Sequence, residues 1–541
     1  MENAYPWDED LAPEYWDEVD EYCGNDVMAL KEVWKAIGTD IDVRKFLCDL
    51  SGLKMINTNR QHITKFIFKG NKKPNLVYTD LATGKATYLD GKTAEPTNDF
   101  IQAFPGYEFN KFGFKKEDYK DGVCTTMKSR YMGEDPSEGG YVYSKPGIYY
   151  NVWCFDVSGM HPASLSALNK LGEYTKIYKE IRDARLYIKH KDFESAGKLL
   201  DGVLKPYLKD KKSAKALSLA LKLILNSLYG WCAATFPCEF KDPRDLDNIV
   251  AKRGALFMIT LKNEVEKMGY EVIHCKTDSI KVVIPNGEVE DIQKFIEDFG
   301  KKYGYLFEVE EKFEKIALLN RAVYVAKEFE DSPAYLDRKE KDPNASRWTA
   351  TGGTAKEQSY VMKKLFTGEE IDISDLPQKK KAQKGALYLD YNEDFPDLTA
   401  EKKELEKLKK KPDGNEERIK ALESYISKQH DYHFIGRVGQ FVPIKPGCGG
   451  AELLCLRDDK YVAVAGTTGY RFKEYAYVVA NHLEDEIDMS FYDNMCDELK
   501  KDICDLVPDT FNYVYDEFLK KYNGNIADIF INEDEDMFLP F

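Results

Sequence analysis

The sequence predicts an α+β protein of more than one domain, on three observations. The chain has 541 residues, longer than one hydrophobic core ordinarily serves. Short β-branched runs bounded by turn residues recur, most clearly in "EGGYVYSKPGIYYNVWCFD" and "GYEVIHCKTDSIKVVIPN". Around them lie long stretches whose apolar residues return at spacings of three and four, the mark of amphipathic helices.

Taken in order, residues 12–36 set Trp16, Val19, Cys23, Val27, Leu30 and Trp34 on one helical face. Residues 50–125 alternate short apolar runs with Gly, Pro and Asn turns, and no firm architecture can be read there. From 139, two strands are expected around the Lys145-Pro146-Gly147 turn, the second ending at Asp156. Two long helices follow, about 163–190 and 211–230, joined by a Lys/Asp-rich connection into a helical hairpin. A third helix, about 247–268, leads into a strand hairpin over 269–286. After 330 the pattern is mixed, with a charged helical pair over 401–429 broken at Pro412-Asp413-Gly414, and no internal repeat is evident.

Composition narrows the function classes. Hydrophobic residues at 43% and aromatics at 13% suffice for globular cores. No run approaches the roughly 18 apolar residues of a membrane span, and the opening "MENAYPWDED" is acidic where a signal peptide is basic and then apolar, so no membrane partner is expected. Eleven cysteines without a Cys-x-x-Cys pair point to reduced thiols and exclude a zinc module. The formal charge, 78 − 94 = −16, taken alone argues against nucleic acid. Lysines nonetheless cluster at 205–215, 379–384 and 402–411, which leaves room for a basic groove on an acidic body.

Three constellations carry chemistry. In "CFDVSGMHPASL" a strand delivers Asp156 to its end, and a turn with Gly159 and Pro162 opens a helix, a natural place for a divalent cation holding phosphate oxygens. Alone, such an Asp is more often a helix cap. In "KKSAKALSLALKLILNSLYG", Lys211, Lys215, Ser218, Lys222, Asn226 and Tyr229 recur at helical spacing as one polar stripe, Leu217, Leu221, Ile224, Leu225 and Leu228 fill the remaining circumference, and Gly230 ends the helix as a C-cap. A solvated basic face would explain the lysines, though less readily Asn226 and Tyr229. In the hairpin 269–286, Asp278 at the turn is held rigidly and partly desolvated, which is unfavourable unless a cation or hydrogen bonds compensate. An ordinary exposed turn is the bland alternative. Together the three supply two carboxylates for two divalent ions and a lysine-bearing helix for a triphosphate, the equipment of nucleotidyl transfer.

The order "DVSGMHPAS", "KLILNSLYG", "KTDS" resembles motifs A, B and C of the family B DNA polymerases, in the style of bacteriophage or prophage members, from about residue 125 onward. The middle motif matches at Lys222, Asn226, Ser227, Tyr229 and Gly230. The resemblance implies a right-hand fold: palm in 126–164 and 236–330, fingers in 165–235, thumb and C-terminal region in 331–541, after an N-terminal linker region 36–125. It implies that Asp156 and Asp278, helped by the Val157 carbonyl, hold two Mg²⁺ ions. Lys222 meets the triphosphate, Asn226 and Tyr229 line the base-pair pocket, and backbone N–H groups of Ser158, Gly159, Met160 and His161 hold phosphate oxygens. Lys215 is added from the stripe alone. Gly230, Lys276, Thr277, Ser279, Arg321 and Tyr324 are expected along primer and template.

Three departures stand out. Lys276 occupies the place of the motif's usual first Asp, and period-two alternation puts it on the same side as Asp278, toward a primer or nucleotide phosphate. His161 stands where the family has a Tyr under the sugar, keeping a flat ring and a deoxynucleotide preference. The family's Lys-x-Tyr element appears as "NRAVYVAK", with Arg321 near the place of the Lys and Tyr324 kept. The N-terminal "EYCGNDV" resembles the third exonuclease motif, with Tyr22 and Asp26; an amphipathic helix exposing both is the plainer reading. With only 21 residues before Tyr22, residues 1–35 amount to a remnant: either the gene is truncated, or a second polypeptide supplies the missing exonuclease portion and docks on the Trp16/Trp34 face. The expected partners are therefore primer-template DNA, dNTPs and that polypeptide, in the cytoplasm of a bacterial host cell. Sixty-six positions separate Asp156 from Lys222, room for a simple fingers hairpin, which favours a nucleic-acid primer. A catalytically inactive DNA-binding or replisome scaffold is the alternative.

Overall fold

The computed structural model describes residues 12–13, 16–114, 127–236, 238–285, 288–351, 358–382, 384–391, 399–409, 415–427, 431–457 and 460–504. It is a mixed helix-and-sheet protein of two compact units: Met1–Tyr143 with Cys154–Val309, and Ser144–Trp153 with Glu310–Phe541.

The first unit opens with helices α1 (Trp16–Ala36), α2 (Gly38–Ser51) and α3 (Asn59–Ile67), the last started by a Thr58/Gln61 capping box. On α1, Trp16, Val27, Leu30 and Trp34 stand exposed, as does Asp26. Among the described residues, the following region holds the hairpin β1 (Val77–Thr79) with β2 (Ala86–Tyr88) and the two-residue ladder of β3 (Glu108–Phe109) with β4 (Ser129–Arg130) as its strands. Elements this short carry no readable periodicity, which is why the sequence pattern there is mute.

Strands β5 (Val142–Ser144) and β6 (Gly147–Val157) flank the expected turn. Next come α4 (Met160–Ala167), α5 (Thr175–Lys189), α6 (Phe193–Lys198), α7 (Lys211–Cys232) and α8 (Ile249–Lys267). The hairpin β7 (Glu271–Lys276) and β8 (Ser279–Val283), α9 (Val289–Lys302) and the start of β9 (Phe307–Leu318) complete the unit. Here the strand order is β9-β6-β8-β7-β5, so β5 and β6, adjacent in the chain, do not pair. Alternation specifies a strand and its faces but not its neighbour.

Two helix expectations need correction. The helix expected over 163–190 is two helices, α4 and α5, broken where Asn169 and Gly172 take left-handed φ of 49° and 58°. A Cβ on Gly172 would lie 2.5 Å from the Asn75 carbonyl oxygen, so the break is set by a backbone approach from far along the chain. Gly230 is not a C-cap: α7 runs on to Cys232 and is capped at Ala233. The apolar stripe of α7 does what its spacing predicts, burying Leu217, Leu221, Ile224, Leu225 and Leu228 as it packs on α2 and α5. Each such side chain contributes about 1.5–3 kcal/mol of transfer free energy.

The second unit holds the first residues of β6, the rest of β9, β10 (Tyr324–Glu328), α10 (Pro333–Lys341) and β11 (Trp348–Thr351), in strand order β11-β10-β9-β6. A three-stranded sheet follows, β12 (Gln378–Lys381), β15 (Val438–Ile444) and β18 (Arg471–Glu474). A four-stranded sheet runs in the order β14 (Tyr432–Gly436), β13 (Leu387–Asp390), β16 (Glu452–Arg457), β17 (Lys460–Ala463). The predicted charged helical pair is present as Thr399–Lys409 and Glu416–Ser427, linked by Arg418 and Glu404 at 3.0 Å. Leu387, Leu389, Phe441, Leu453, Phe472 and Tyr492 lie in this unit's core. The described cysteines are all free thiols, and no described helix is long and apolar enough to cross a membrane.

Candidate active site

The site is built at the end of β6. The Val157 N–H donates to the Asp278 carbonyl (2.9 Å), and the Lys281 ammonium donates to Cys154 Sγ (3.1 Å), so β6 and β8 run antiparallel with Asp156–Val157 against the β7–β8 turn. Two carboxylate residues 122 positions apart in the chain thus occupy adjoining places. Asp156 is half-buried. Asp278 is too, and burial pushes its carboxyl pKa above the ordinary value.

The turn that presents Asp278 is strained. Lys276 and Ser279 form the last ladder pair, leaving Thr277 and Asp278 as the loop, and Thr277 takes φ +56°, unusual for a β-branched residue. Such a conformation persists only where its surroundings impose it. Here the Thr277 N–H donates to the Tyr141 carbonyl (2.8 Å). Its side chain packs so close to Gly140 that a Cβ there would lie 2.9 Å from the Thr277 methyl. Because Asp278 sits in the loop, strand alternation does not extend to it. The same-side argument for Lys276 and Asp278 therefore fails, and Lys276 is simply the exposed last residue of β7.

After β6, the Ser158 N–H donates to the Leu306 carbonyl (2.9 Å) and the Gly159 N–H to the Val157 carbonyl (2.5 Å). The expected cradle of four N–H groups over 158–161 is thus corrected to two: Leu306, just ahead of β9, and the tight turn engage Ser158 and Gly159. Gly159, at φ +77° and ψ +67°, needs to be glycine to turn the chain into α4. Met160 and His161 lie in the first helical turn, where the helix offers their N–H groups no acceptor.

Helix α4 brings the first and second motifs together. The His161 ring meets the Tyr229 ring edge-on, centroids 4.3 Å apart at 84°. Burial lowers the His161 pKa, favouring the neutral imidazole, and raises that of Tyr229. Asn248, ahead of α8, donates to Tyr229 Oη (3.2 Å). Met160 is buried against Gly254 of α8, where a Cβ would lie 2.5 Å from the sulfur. On α7, Lys211, Lys215, Lys222, Asn226 and Gly230 are exposed and Ser218 and Tyr229 half-buried, so the polar stripe is real.

Other groups fix this frame and were not singled out by sequence. Lys170 and Asp245 form a fully buried ion pair at 2.6 Å. Glu308 of β9 accepts from Lys189 and, at 2.8 Å, from His190, both at the end of α5. Burial alone would raise the Glu308 pKa, but hydrogen bonds led by Lys189 hold it down at about 2. Nothing local in the sequence marks these partners.

Arg321, exposed, and Tyr324 belong to the other unit. Tyr324 is 7% exposed at the start of β10, edge-on to Phe313. Tyr22 and Asp26 share α1, and the Tyr22 side chain lies outside the described residues. Among the described residues no group of three or more His, Cys, Asp or Glu side chains is placed to hold a metal. The available donors are Asp156, Asp278 and the Val157 carbonyl, a hard-oxygen set of the kind Mg²⁺ accepts when water and phosphate complete its shell.

No protein-family profile matches the chain. DNA polymerase II of Escherichia coli (strain K12) is 30% identical to it over 177 residues, 30% of this chain and 22% of that protein. The chain therefore spans about a fifth of the length of that curated relative. Among solved structures, the family B DNA polymerase from the hyperthermophilic archaeon Pyrobaculum calidifontis aligns with 92% of this chain and 56% of its own, at 13% identity and a TM-score of 0.36. Part of this mixed helix-and-sheet chain is thus distantly similar to part of a DNA polymerase.

Proposed function

We propose that the chain is a template-directed DNA polymerase of the family B type, extending a primer 3′ end with dNTPs in phage or prophage replication. The observation that carries this reading is the meeting of three motifs in one unit: Asp156 against Asp278 across β6 and the hairpin turn, and His161 against Tyr229. The stretch similar to DNA polymerase II supports it. In this reading the sheet β9-β6-β8-β7 is the palm, α5 to α7 the fingers, and the chain beyond 330 the thumb and C-terminal region.

Asp156, Asp278 and the Val157 carbonyl would hold the two Mg²⁺ ions. When bound, the ions acidify the attacking 3′ hydroxyl and neutralise the leaving pyrophosphate. The chain's own groups do the rest. Lys222 and Lys215 present ammonium groups on the open side of α7 to the triphosphate, and the Met160 and His161 N–H groups add donors. Asn226 and Tyr229 line the base-pair pocket. The neutral His161 ring, braced by Tyr229 and through it by Asn248, is a wall beneath the sugar that disfavours a 2′-hydroxyl. The strained Thr277 turn holds Asp278 in place before substrate arrives, so little reorganisation remains. Lys276, with Thr277, Ser279 and Gly230, faces primer or template phosphates, and Arg321 and Tyr324 contact the duplex.

The exposed face of α1, with Asp26 beside Val27, Leu30 and Trp34, is a docking face for a partner polypeptide. Copurification of a small acidic-motif partner, lost in Trp34→Ala, tests that part.

Primer extension with Asp156→Ala and Asp278→Ala is the deciding experiment. Both are expected to bind primer-template and fail to extend it; synthesis by either sinks the assignment. One observation favours a second reading, an inactive scaffold: Lys276 stands beside the turn where a third acid would be expected. Loss of extension in the unmodified chain itself, with DNA binding kept, would select it.

A further inference from the structure

The four-stranded sheet of the second unit has two unlike faces. Leu387, Leu389, Leu453 and Cys455 point into the core. On the other face the register aligns Tyr388 with Phe434 and Leu454, Asp390 with Tyr432 and Glu452, and Leu456 with Tyr461. Its rings form one cluster: Tyr388 meets Phe434 and Tyr461 edge-on at 5.5 Å and 5.0 Å, and Tyr432 stacks on Tyr461 at 3.8 Å and 9°. Tyr432 and Tyr461 lie on the two outer strands, so the sheet curls until its edges share a ring stack. Phe434 remains 58% and Tyr461 37% exposed.

Charge along this face is segregated. Where β13 begins, β14 ends and the β16–β17 hairpin turns, Lys384, Arg437, Arg457 and Lys460 are exposed, with Lys381 beside them on β12. Ion pairs with acids are absent for these five among the described residues. The turn itself carries Asp458 and Asp459, which lie outside the described residues, so the sequence leaves this end net positive. The opposite end carries Glu452 and Asp431, the latter paired with His433 at 3.2 Å, while Asp390 is buried there and accepts the Asp431 N–H (2.8 Å).

We propose that this face binds single-stranded nucleic acid, with an unpaired base stacked on the open rings of Phe434 and Tyr461 and the backbone phosphates passing over the basic end. Exposed aromatic rings beside unpaired cations are the two components of sequence-tolerant single-strand recognition. A duplex offers its bases no free face, so the rings select the unpaired strand. The acidic end fixes polarity, keeping phosphates to one side of the ring cluster. The site lies wholly within the second unit and concerns binding alone, independent of the polymerase assignment.

The test uses the full chain and a labelled oligo(dT) against a duplex of equal length, read by fluorescence anisotropy. Phe434→Ala and Tyr461→Ala are each expected to weaken oligo(dT) binding about 5- to 150-fold, the range for losing one stacked base, and to leave duplex binding unchanged. Tyr461→Phe should retain affinity, and Arg437→Ala should reduce its salt dependence. Ultraviolet crosslinking of an iodouracil-containing oligonucleotide to the unaltered chain should map to peptides holding Phe434 or Tyr461, which guards against variants that misfold. Unchanged affinity in both alanine variants, or crosslinks confined to other segments, overturns the proposal. A dimer that Phe434→Ala dissociates without touching oligonucleotide affinity would assign the face to a second copy of the chain, which also overturns it. Asp278→Ala should bind oligo(dT) normally, so this proposal and the polymerase reading fail separately.

Discussion

Lys170→Met should be among the most damaging single changes in the first unit. The Lys170 and Asp245 side chains are 0% and 1% exposed and 2.6 Å apart, so removing the ammonium strands a carboxylate in a low-dielectric interior. Breaking a pair of this kind costs about 3–5 kcal/mol. The damage reaches the site because of what the pair joins. Asp245 Oδ1 accepts the N–H of Ile249 (2.9 Å), the first residue of α8 and the next after the Asn248 that holds Tyr229, while the carbonyl of Lys170, just after α4, accepts the Val77 N–H (3.1 Å). For a domain this large, about 2 °C per kcal/mol translates the loss into a melting temperature lower by roughly 6 to 10 °C. Lys170→Met combined with Asp245→Asn removes both charges yet keeps an acceptor for Ile249, so it should recover most of the loss. Urea unfolding followed by circular dichroism measures all three. A single variant within about 1 kcal/mol of the parent, or a double no better than the single, would refute the reasoning.

The other predictions concern the site more directly. Burial raises the Asp278 pKa in the fold, so ionising it as pH climbs through that raised value loses stability; Asp278→Asn should melt at or above the parent at neutral pH while losing extension, and added Mg²⁺ should raise the melting temperature of the parent alone. A clear drop in its melting temperature would count against that account. Gly254→Ala places a methyl 2.5 Å from Met160 Sδ and 2.9 Å from its Cγ, overpacking that costs about 1–3 kcal/mol and displaces the turn bearing His161. Ribonucleotide rejection should fall with it and return in Gly254→Ala/Met160→Ala; a neutral Gly254→Ala disproves the wedge. Glu308 is depressed from the ordinary 4.5 to about 2, so its contribution is present above 4.5 and lost as pH falls toward 2. Glu308→Gln should therefore lower the melting temperature above pH 4.5 and flatten its fall between 4.5 and 2, which a pH series of thermal melts would check.

How much of this was legible in the chain depends on how local each feature is. The faces of α7 and the hairpin carrying Asp278 follow from residues three, four or two positions apart, and they could be read directly. The pairing of β5 with β7 could not, because alternation names faces and not partners. Nor could the break after α4, which answers to the carbonyl of Asn75, nor the use of the Ser158 N–H by Leu306. Period-two reasoning carried Lys276 and Asp278 to one side only by ignoring that a loop residue has no alternation to obey. Glu308, Lys170 and Asn248 take their roles from partners more than 18 positions away, a distance at which no short pattern speaks.

Strand β6 begins in one compact unit and ends in the other: Ser144–Trp153 belongs with Glu310–Phe541. During synthesis that ten-residue piece leaves the ribosome about 157 residues ahead of the rest of its unit, a wait of roughly 10 to 30 s at ordinary elongation rates. Until then Tyr149, Tyr150 and Trp153 form a β-prone segment short of lasting neighbours, an opening for chaperones or for mispairing with another nascent chain. It also means that no single cut yields two self-sufficient halves: a fragment ending between residues 153 and 310 keeps a strand piece whose unit has been discarded, and one ending earlier divides the first unit.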